Sequence, residues 1–363
     1  MGNKKSILFV VDKPNWAYHF IVKTWCEYLS NYECYITFSE NYLLRYKQFG
    51  LKDVFKNKLS QWMNNGKDVF FRIHSSKKYS FPVYKTPPVY EIHSGKQVNQ
   101  LNFDYIIEMA YYIQYTSQLP FNSKKRFVGL FTDSFPHDGP SFDIKKNIDV
   151  KTLNREQFYS NYLSHYDGVI VGNENLYLDY SMFPIHLVKA NGIYRQNEFI
   201  ENNNVGNKEG LTIGWTGTPD RPMKGFRQFI EPAVKIVQET GRKISLKTRF
   251  SGEYEGLLDF YKDVDLVVIA SSADTGPSLF AEASLSNVPS ISTSIGFPKM
   301  IIENGLNGII VDRSVEDIAS AIMDLYDNRE KLRLFSSRIK KDYLKVLDNC
   351  ISANSLQQFL DKV

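Results

Sequence analysis

Short apolar runs recur along the chain, separated by polar turns and by longer segments of helical period. Runs over 6–11, 33–38, 68–73, 103–107, 126–131, 167–172 and 186–190 are short and rich in β-branched or aromatic residues, which predicts buried strands. Helical periodicity covers 20–29, 42–64 with a break near Gly50, 156–165 and 173–182. The Pro- and aromatic-rich stretch 79–95 predicts loop or irregular strand. A second series follows: strands over 211–217, 242–247, 266–270, 289–293 and 307–311, with helices over 226–239, 257–262, 279–285, 315–325, 330–347 and 352–363. Alternation of this kind predicts an α/β protein with two Rossmann-like, doubly wound domains. The polar segment 201–210, poor in apolar residues, fits a linker.

Composition narrows this little. A length of 363 residues suits two domains, and a hydrophobic content of 43% suffices for two cores. The net charge of +4 is small for the length and gives no reason to expect nucleic acid. Cys26, Cys34 and Cys350 show no metal spacing and no even framework, which fits a reduced cytoplasmic protein. No apolar run approaches the roughly eighteen residues of a spanning helix.

The chemistry concentrates in one stretch, Asp265 to Ala283. An apolar strand runs into the turn Ser271–Ser278, and a helix opens at Leu279. Asp274 and Glu282 bracket that helix start, with Thr275, Gly276, Pro277 and Ser278 between them. Free N–H groups at a helix start bind an anion. Carboxylates on either side accept hydrogen bonds from hydroxyls. That layout suits a nucleotide-sugar, which presents ribose, diphosphate and sugar in order. The bland alternative is an ordinary turn with two solvated acids. Upstream, Gly217 and Thr218 open a turn that carries Arg221 and Lys224-Gly225 before the next helix, a second candidate diphosphate contact. The strand over 126–131 ends in a titratable cluster with Asp133 and His137, at the edge where doubly wound sheets hold ligands. His137 beside a Pro-Asp-Gly turn is equally readable as a loop histidine. Trp16, in the first strand–helix turn, either stacks on a ligand or packs as a cap. Asp263-Val-Asp265 spells Asp-x-Asp but precedes its strand, so it reads as a helix end rather than a metal site.

The spacing of Asp274 and Glu282 resembles the acid-x7-Glu motif of the family-4 group of retaining GT-B glycosyltransferases (glycosyl transferases group 1). Asn191-Gly192-Ile193 with Phe199 resembles the hinge of that family, and Lys224-Gly225 its Lys-Gly pair. The segment Gly296 to Gly305 follows its pattern loosely. The likeness is strong from about 191 to 343 and weaker before. Two departures stand out: Asp274 takes the place of the usual Glu, and Pro14, Asn15 and Trp16 stand where a Gly-rich turn is common.

The resemblance implies an acceptor domain over 1–195, a donor domain over 196–345, and a terminal helix, 346–363, crossing back to the first. It implies transfer of a sugar from a UDP-, GDP- or dTDP-sugar to a glycan or lipid-linked glycan hydroxyl, as in bacterial surface polysaccharides. Configuration would be retained, with no metal and no cofactor. Asp274 would face the donor sugar and Glu282 the ribose. Lys224 and Arg221 would stabilise the leaving diphosphate, and Asp133 and His137 would border the transferred sugar. A lipid-linked acceptor would bring the chain to the cytoplasmic membrane face. Two other readings remain open: a nucleotide-sugar epimerase of the same fold, and a degenerate scaffold.

Overall fold

The computed structural model describes residues 4–44, 89–92, 102–132, 135, 137, 139–252 and 254–363. The expected strand over 68–73, most of the expected helix over 42–64, and Asp133 lie outside these residues.

The first domain runs β1 (Lys5–Val11), α1 (Ala17–Tyr28), β2 (Tyr32–Phe38), β3 (Val89–Ile92), β4 (Asn102–Glu108), β5 (Asn122–Leu130), a small hairpin of β6 (Phe142–Asp143) and β7 (Ile148–Asp149), β8 (Gly168–Val171), α2 (Glu174–Tyr180) and β9 (Leu187–Lys189). Its described strands form a parallel sheet in the order β3-β2-β1-β4-β5-β8-β9. Ile7, Phe9 and Val11 pack with α1 on one face of the sheet and Leu8 and Val10 with Ala110, Ile113 and Phe121 on the other, so β1 reads apolar throughout instead of alternating. Residues 89–92, within the stretch expected to be loop or irregular strand, add the strand β3, with Val89 opposite Cys34. The expected helix over 156–165 is split: one capped α-turn, Arg155–Phe158, leads into a π-turn, Tyr159–Leu163.

The second domain runs β10 (Leu211–Thr216), α3 (Glu231–Glu239), β11 (Ile244–Arg249), β12 (Leu266–Ile269), α4 (Ser278–Leu285), β13 (Ser290–Ser292), α5 (Gly296–Ile301), β14 (Ile309–Ile310), α6 (Val315–Asp327) and α7 (Arg329–Leu347). Its parallel sheet is ordered β11-β10-β12-β13-β14. Helix α4 is buried on every side from Leu279 to Leu285. Its small residues, Ala281, Ala283 and Ser284, let it sit between the sheet and α7. Helix α7 is amphipathic: Leu332, Phe335, Ile339, Tyr343 and Leu347 face inward at helical spacing.

The segment 201–210 is no loose linker. Asn202 is buried and donates to the carbonyls of Tyr261 (3.3 Å) and Val264 (2.7 Å), and Val205 joins the second core. Asp265 is spent on structure, accepting from Gly206 N and Thr212 N at 2.9 Å each.

A last helix, α8 (Asn349–Lys362), returns to the first domain. Ala353, Leu356, Phe359 and Leu360 pack into the core beside α1 and β9. The crossing point is tied at its start. Asn349 donates to the carbonyl of Ile193 (2.8 Å) and accepts from its N–H (2.9 Å), and the Trp25 indole donates to the Asn191 carbonyl (2.9 Å). No helix among the described residues is long and apolar enough to cross a membrane.

Candidate functional site

In each sheet the chain winds outward one way, then crosses to build the other side. The reversal falls between β1 and β4 in the first sheet and between β10 and β12 in the second. Crevices at such switch points, beyond the carboxyl ends of the strands, hold ligands. Here the two crevices line one cleft of about 760 Å³ between the domains. A slot of about 360 Å³ continues from it into the second domain. Arg221, Lys224, Leu257, Ser278 and Glu282 line both.

The turn after β10 carries Lys224, and the turn after β12 carries Asp274. Their side chains form an ion pair, with both groups half-buried. The turns also touch through their backbones: Ser272 N donates to the Met223 carbonyl at 2.9 Å. Gly225 is left-handed at φ 69°, and a Cβ there would lie 2.5 Å from the Ala270 carbonyl oxygen. Only glycine allows that approach. Asp274 uses its second oxygen to accept from Gly276 N (3.3 Å). Pro277 has no N–H, so an anion at the start of α4 would meet the N–H groups from Ser278 onward. Gly276 packs flat on Phe297, where a Cβ would lie 2.2 Å from the ring. The Thr275 carbonyl accepts from Asn173 of the first domain at 3.1 Å. Arg221 is exposed at the shared wall, and Gly217 and Thr218 line the slot.

Glu282 sits at the base of both spaces. It accepts from the Tyr261 hydroxyl at 2.7 Å, and burial pushes its pKa up to about 7 against the opposing pull of that hydrogen bond and of Arg249. Beyond it the slot is walled by Arg249, Phe250, Ser251 and Gly252. Gly252 and Gly256 leave room for the Arg249 guanidinium, whose atoms lie 2.8 and 3.2 Å from where their Cβ atoms would be.

The first domain contributes Trp16, Tyr18, Tyr112 and Thr132 to the cleft. Trp16 is 54% exposed with Lys13 over its ring, so it is not a core cap. His137 does not line the cleft. It is buried among Tyr111, Phe135, Phe158 and Tyr180, with Nδ1 2.8 Å from Thr132 Oγ1 and Nε2 2.6 Å from the Tyr180 hydroxyl. Both ring nitrogens are engaged, and one of the partners, Thr132, lines the cleft. Sequence reasoning passed over Asp12, which directly follows β1 and lines the cleft. Among the described residues nothing hydrogen-bonds its Oδ1, and burial raises its pKa. The signal was available: a lone acid directly after the first apolar strand.

Residues 222–342 match the family model for glycosyl transferases group 1. No curated protein matches the sequence. Among solved structures, HepE of Anabaena in complex with UDP and glucose is similar at a TM-score of 0.62 and 12% identity, covering 98% of this chain and 99% of that one. Sucrose-phosphate synthase from Thermosynechococcus elongatus gives 0.61 and 11%, covering 99% and 98%. A TarM mutant of S. aureus, in complex with fondaparinux, α-GlcNAc-glycerol and UDP, gives 0.52 and 16%. There the match covers 71% of this chain and 55% of TarM, so the chain spans about half of that relative. Two Rossmann-like domains facing a cleft, the GT-B fold, are common ground.

Proposed function

We propose that this group 1 glycosyltransferase of GT-B fold moves a sugar from a nucleotide-sugar to a hydroxyl of a glycan or lipid-linked glycan, with retention of configuration. One observation carries the reading: Glu282 and Lys224 lie where the slot of the second domain meets the interdomain cleft, with Asp274 paired to the lysine on the cleft side. A nucleoside in the slot would set its ribose hydroxyls against Glu282, its diphosphate against Lys224, Arg221 and the start of α4, and its sugar against Asp274. UDP is the nucleotide bound by HepE and by the TarM mutant, which favours a uridine donor.

The chemistry asked of the residues is electrostatic. Charge grows on the leaving diphosphate as the glycosidic bond breaks, and fixed cations and N–H dipoles lower the barrier most when they are in place beforehand. Lys224 offers a point charge and Arg221 a fork. A retaining front-face reaction needs no side-chain nucleophile, and neither a metal nor a cofactor enters this scheme. Cytoplasmic placement, with a lipid-linked acceptor at the membrane face, belongs to the same reading.

Calorimetry with UDP, GDP, dTDP and CDP tests it on wild type and Glu282→Ala. One nucleotide should bind, and the variant should lose it. Products formed from the matching donor then show the anomeric configuration by proton coupling constants. A folded wild type that binds none of the four would overturn the reading.

A further inference from the structure

We propose that Arg313 is a positioning residue that locks the Lys224 turn to the Asp274 turn and so sets the lysine ammonium for the donor diphosphate. The proposal rests on the donor site described above. Arg313 lies between β14 and α6, far along the chain from both turns, and lines neither the cleft nor the slot. Its Nε donates to the carbonyl of Ala270 (2.8 Å), at the end of β12 where the Asp274 turn begins. Its Nη2 donates to the carbonyls of Pro222 (2.9 Å) and Met223 (3.4 Å), the two residues before Lys224. The guanidinium carbon stands 4.4 Å from the ring centroid of Phe229, in the π-turn that follows Gly225. One planar group therefore spans both turns and rests on the element that continues the first.

The chemistry of the contact points the same way. Among the described residues no carboxylate pairs with Arg313, and its partners are main-chain carbonyls and a ring. Partly burying a cation without an ion pair is unfavourable. A residue serving stability alone could be apolar at that place. What the guanidinium adds is direction: its donors are fixed in a plane, so satisfying Ala270 and Pro222 together fixes the distance between two turns. Lys224 N donates to the Arg221 carbonyl at 2.9 Å, so the turn being held is itself closed just before the lysine. A one-ångström drift of such a group is enough to lose most of its effect.

A double-mutant cycle on nucleotide affinity separates positioning from stability. UDP and uridine are titrated into wild type, Arg313→Ala, Lys224→Ala and the double variant, with GDP, dTDP, CDP and their nucleosides in parallel. Arg313→Ala should weaken the diphosphate about tenfold and the nucleoside less than about twofold. In the Lys224→Ala background the same change should add less than about twofold. Arg313→Lys, which cannot span both turns, should fall between wild type and Arg313→Ala, and it carries the cycle if Arg313→Ala does not fold. Equal weakening of nucleotide and nucleoside, or full additivity with Lys224→Ala, would overturn the inference while leaving the donor site standing. A cooperatively folded wild type that binds no nucleotide would remove the donor site, and the inference with it.

Discussion

Lys224 and Asp274, fifty positions apart in the chain, neutralise each other where the slot of the second domain opens into the interdomain cleft. Each is a group the donor would claim, one for its phosphates and one for its sugar. The pair holds both side chains half-buried without an uncompensated charge, and on the proposed placement an arriving donor would exchange one ion pair for two contacts of its own. On the proposed donor placement the two halves of recognition would be linked, because a phosphate at the lysine would compete with the aspartate for its charge.

That exchange predicts opposite effects of one substitution. Asp274→Asn leaves Lys224 unclaimed, so a nucleoside diphosphate should bind about fivefold tighter, corresponding to an ion pair worth about 1 kcal/mol. Transfer from the full nucleotide-sugar should fall about a hundredfold, because the sugar loses its charged contact. Calorimetry and a radiolabelled transfer assay give the two numbers. Weaker nucleotide binding in the variant would mean that Asp274 helps the lysine rather than competing with it.

Glu282 predicts a pH dependence. Its pKa is raised from 4.5 to about 7, so the folded protein holds this proton more tightly than the unfolded chain. The proton is bound in both states below about pH 4, and stability falls as pH rises through the window up to about 7, by roughly 3 kcal/mol in all. Urea midpoints at pH 5 and pH 8 should converge in Glu282→Gln relative to wild type. Uridine, which has no phosphate to titrate, should bind wild type more tightly as Glu282 ionises between pH 6 and 8, and this slope should vanish in Glu282→Gln.

The approach of the two turns predicts a contrast between glycines. Gly225 and Gly241 both have positive φ, but nothing lies within 4 Å of a Cβ at Gly241. Gly241→Ala should cost only the left-handed strain, about 1 kcal/mol. Gly225→Ala adds a collision with the Ala270 carbonyl and should cost at least twice as much, with nucleotide affinity falling alongside stability. Equal urea midpoints for the two variants would count against the tight seam.

The crossing from the second domain back to the first depends on Asn349, whose side chain satisfies both backbone groups of Ile193. Asn349→Ala leaves a buried donor and acceptor without partners and should destabilise by about 2–4 kcal/mol. Asn349→Asp removes only the donor and should cost less at a pH where the acid is protonated. Thermal melts at pH 4 and pH 7 check the order.

The parts of the site legible in the sequence are local. Strand, turn and helix around Asp274 to Glu282 follow each other within one stretch, so periodicity and punctuation suffice to place the acids at a helix start. Lys224-Gly225 is legible for the same reason. Arg313 is not, because its three carbonyl partners lie forty to ninety positions upstream and the carbonyl is common to every residue. His137 misled for a related reason: the aromatic rings around it come from separate segments, and no local pattern shows that a loop histidine is enclosed. The π-turns over 159–163 and 226–230 leave no mark on the pattern because the apolar positions across them, such as Phe226, Ile230, Val234 and Val237, keep ordinary helical intervals.

The return of α8 gives the fold an order in time. The first domain closes its core with Ala353, Leu356, Phe359 and Leu360, so topologically the second domain is an insertion within the first. A ribosome making this chain emits the whole second core before the helix that covers one face of the earlier sheet. A chain truncated after residue 348 and released should therefore carry a finished second domain and an unfinished first one, with the greasy face beside α1 offered to chaperones.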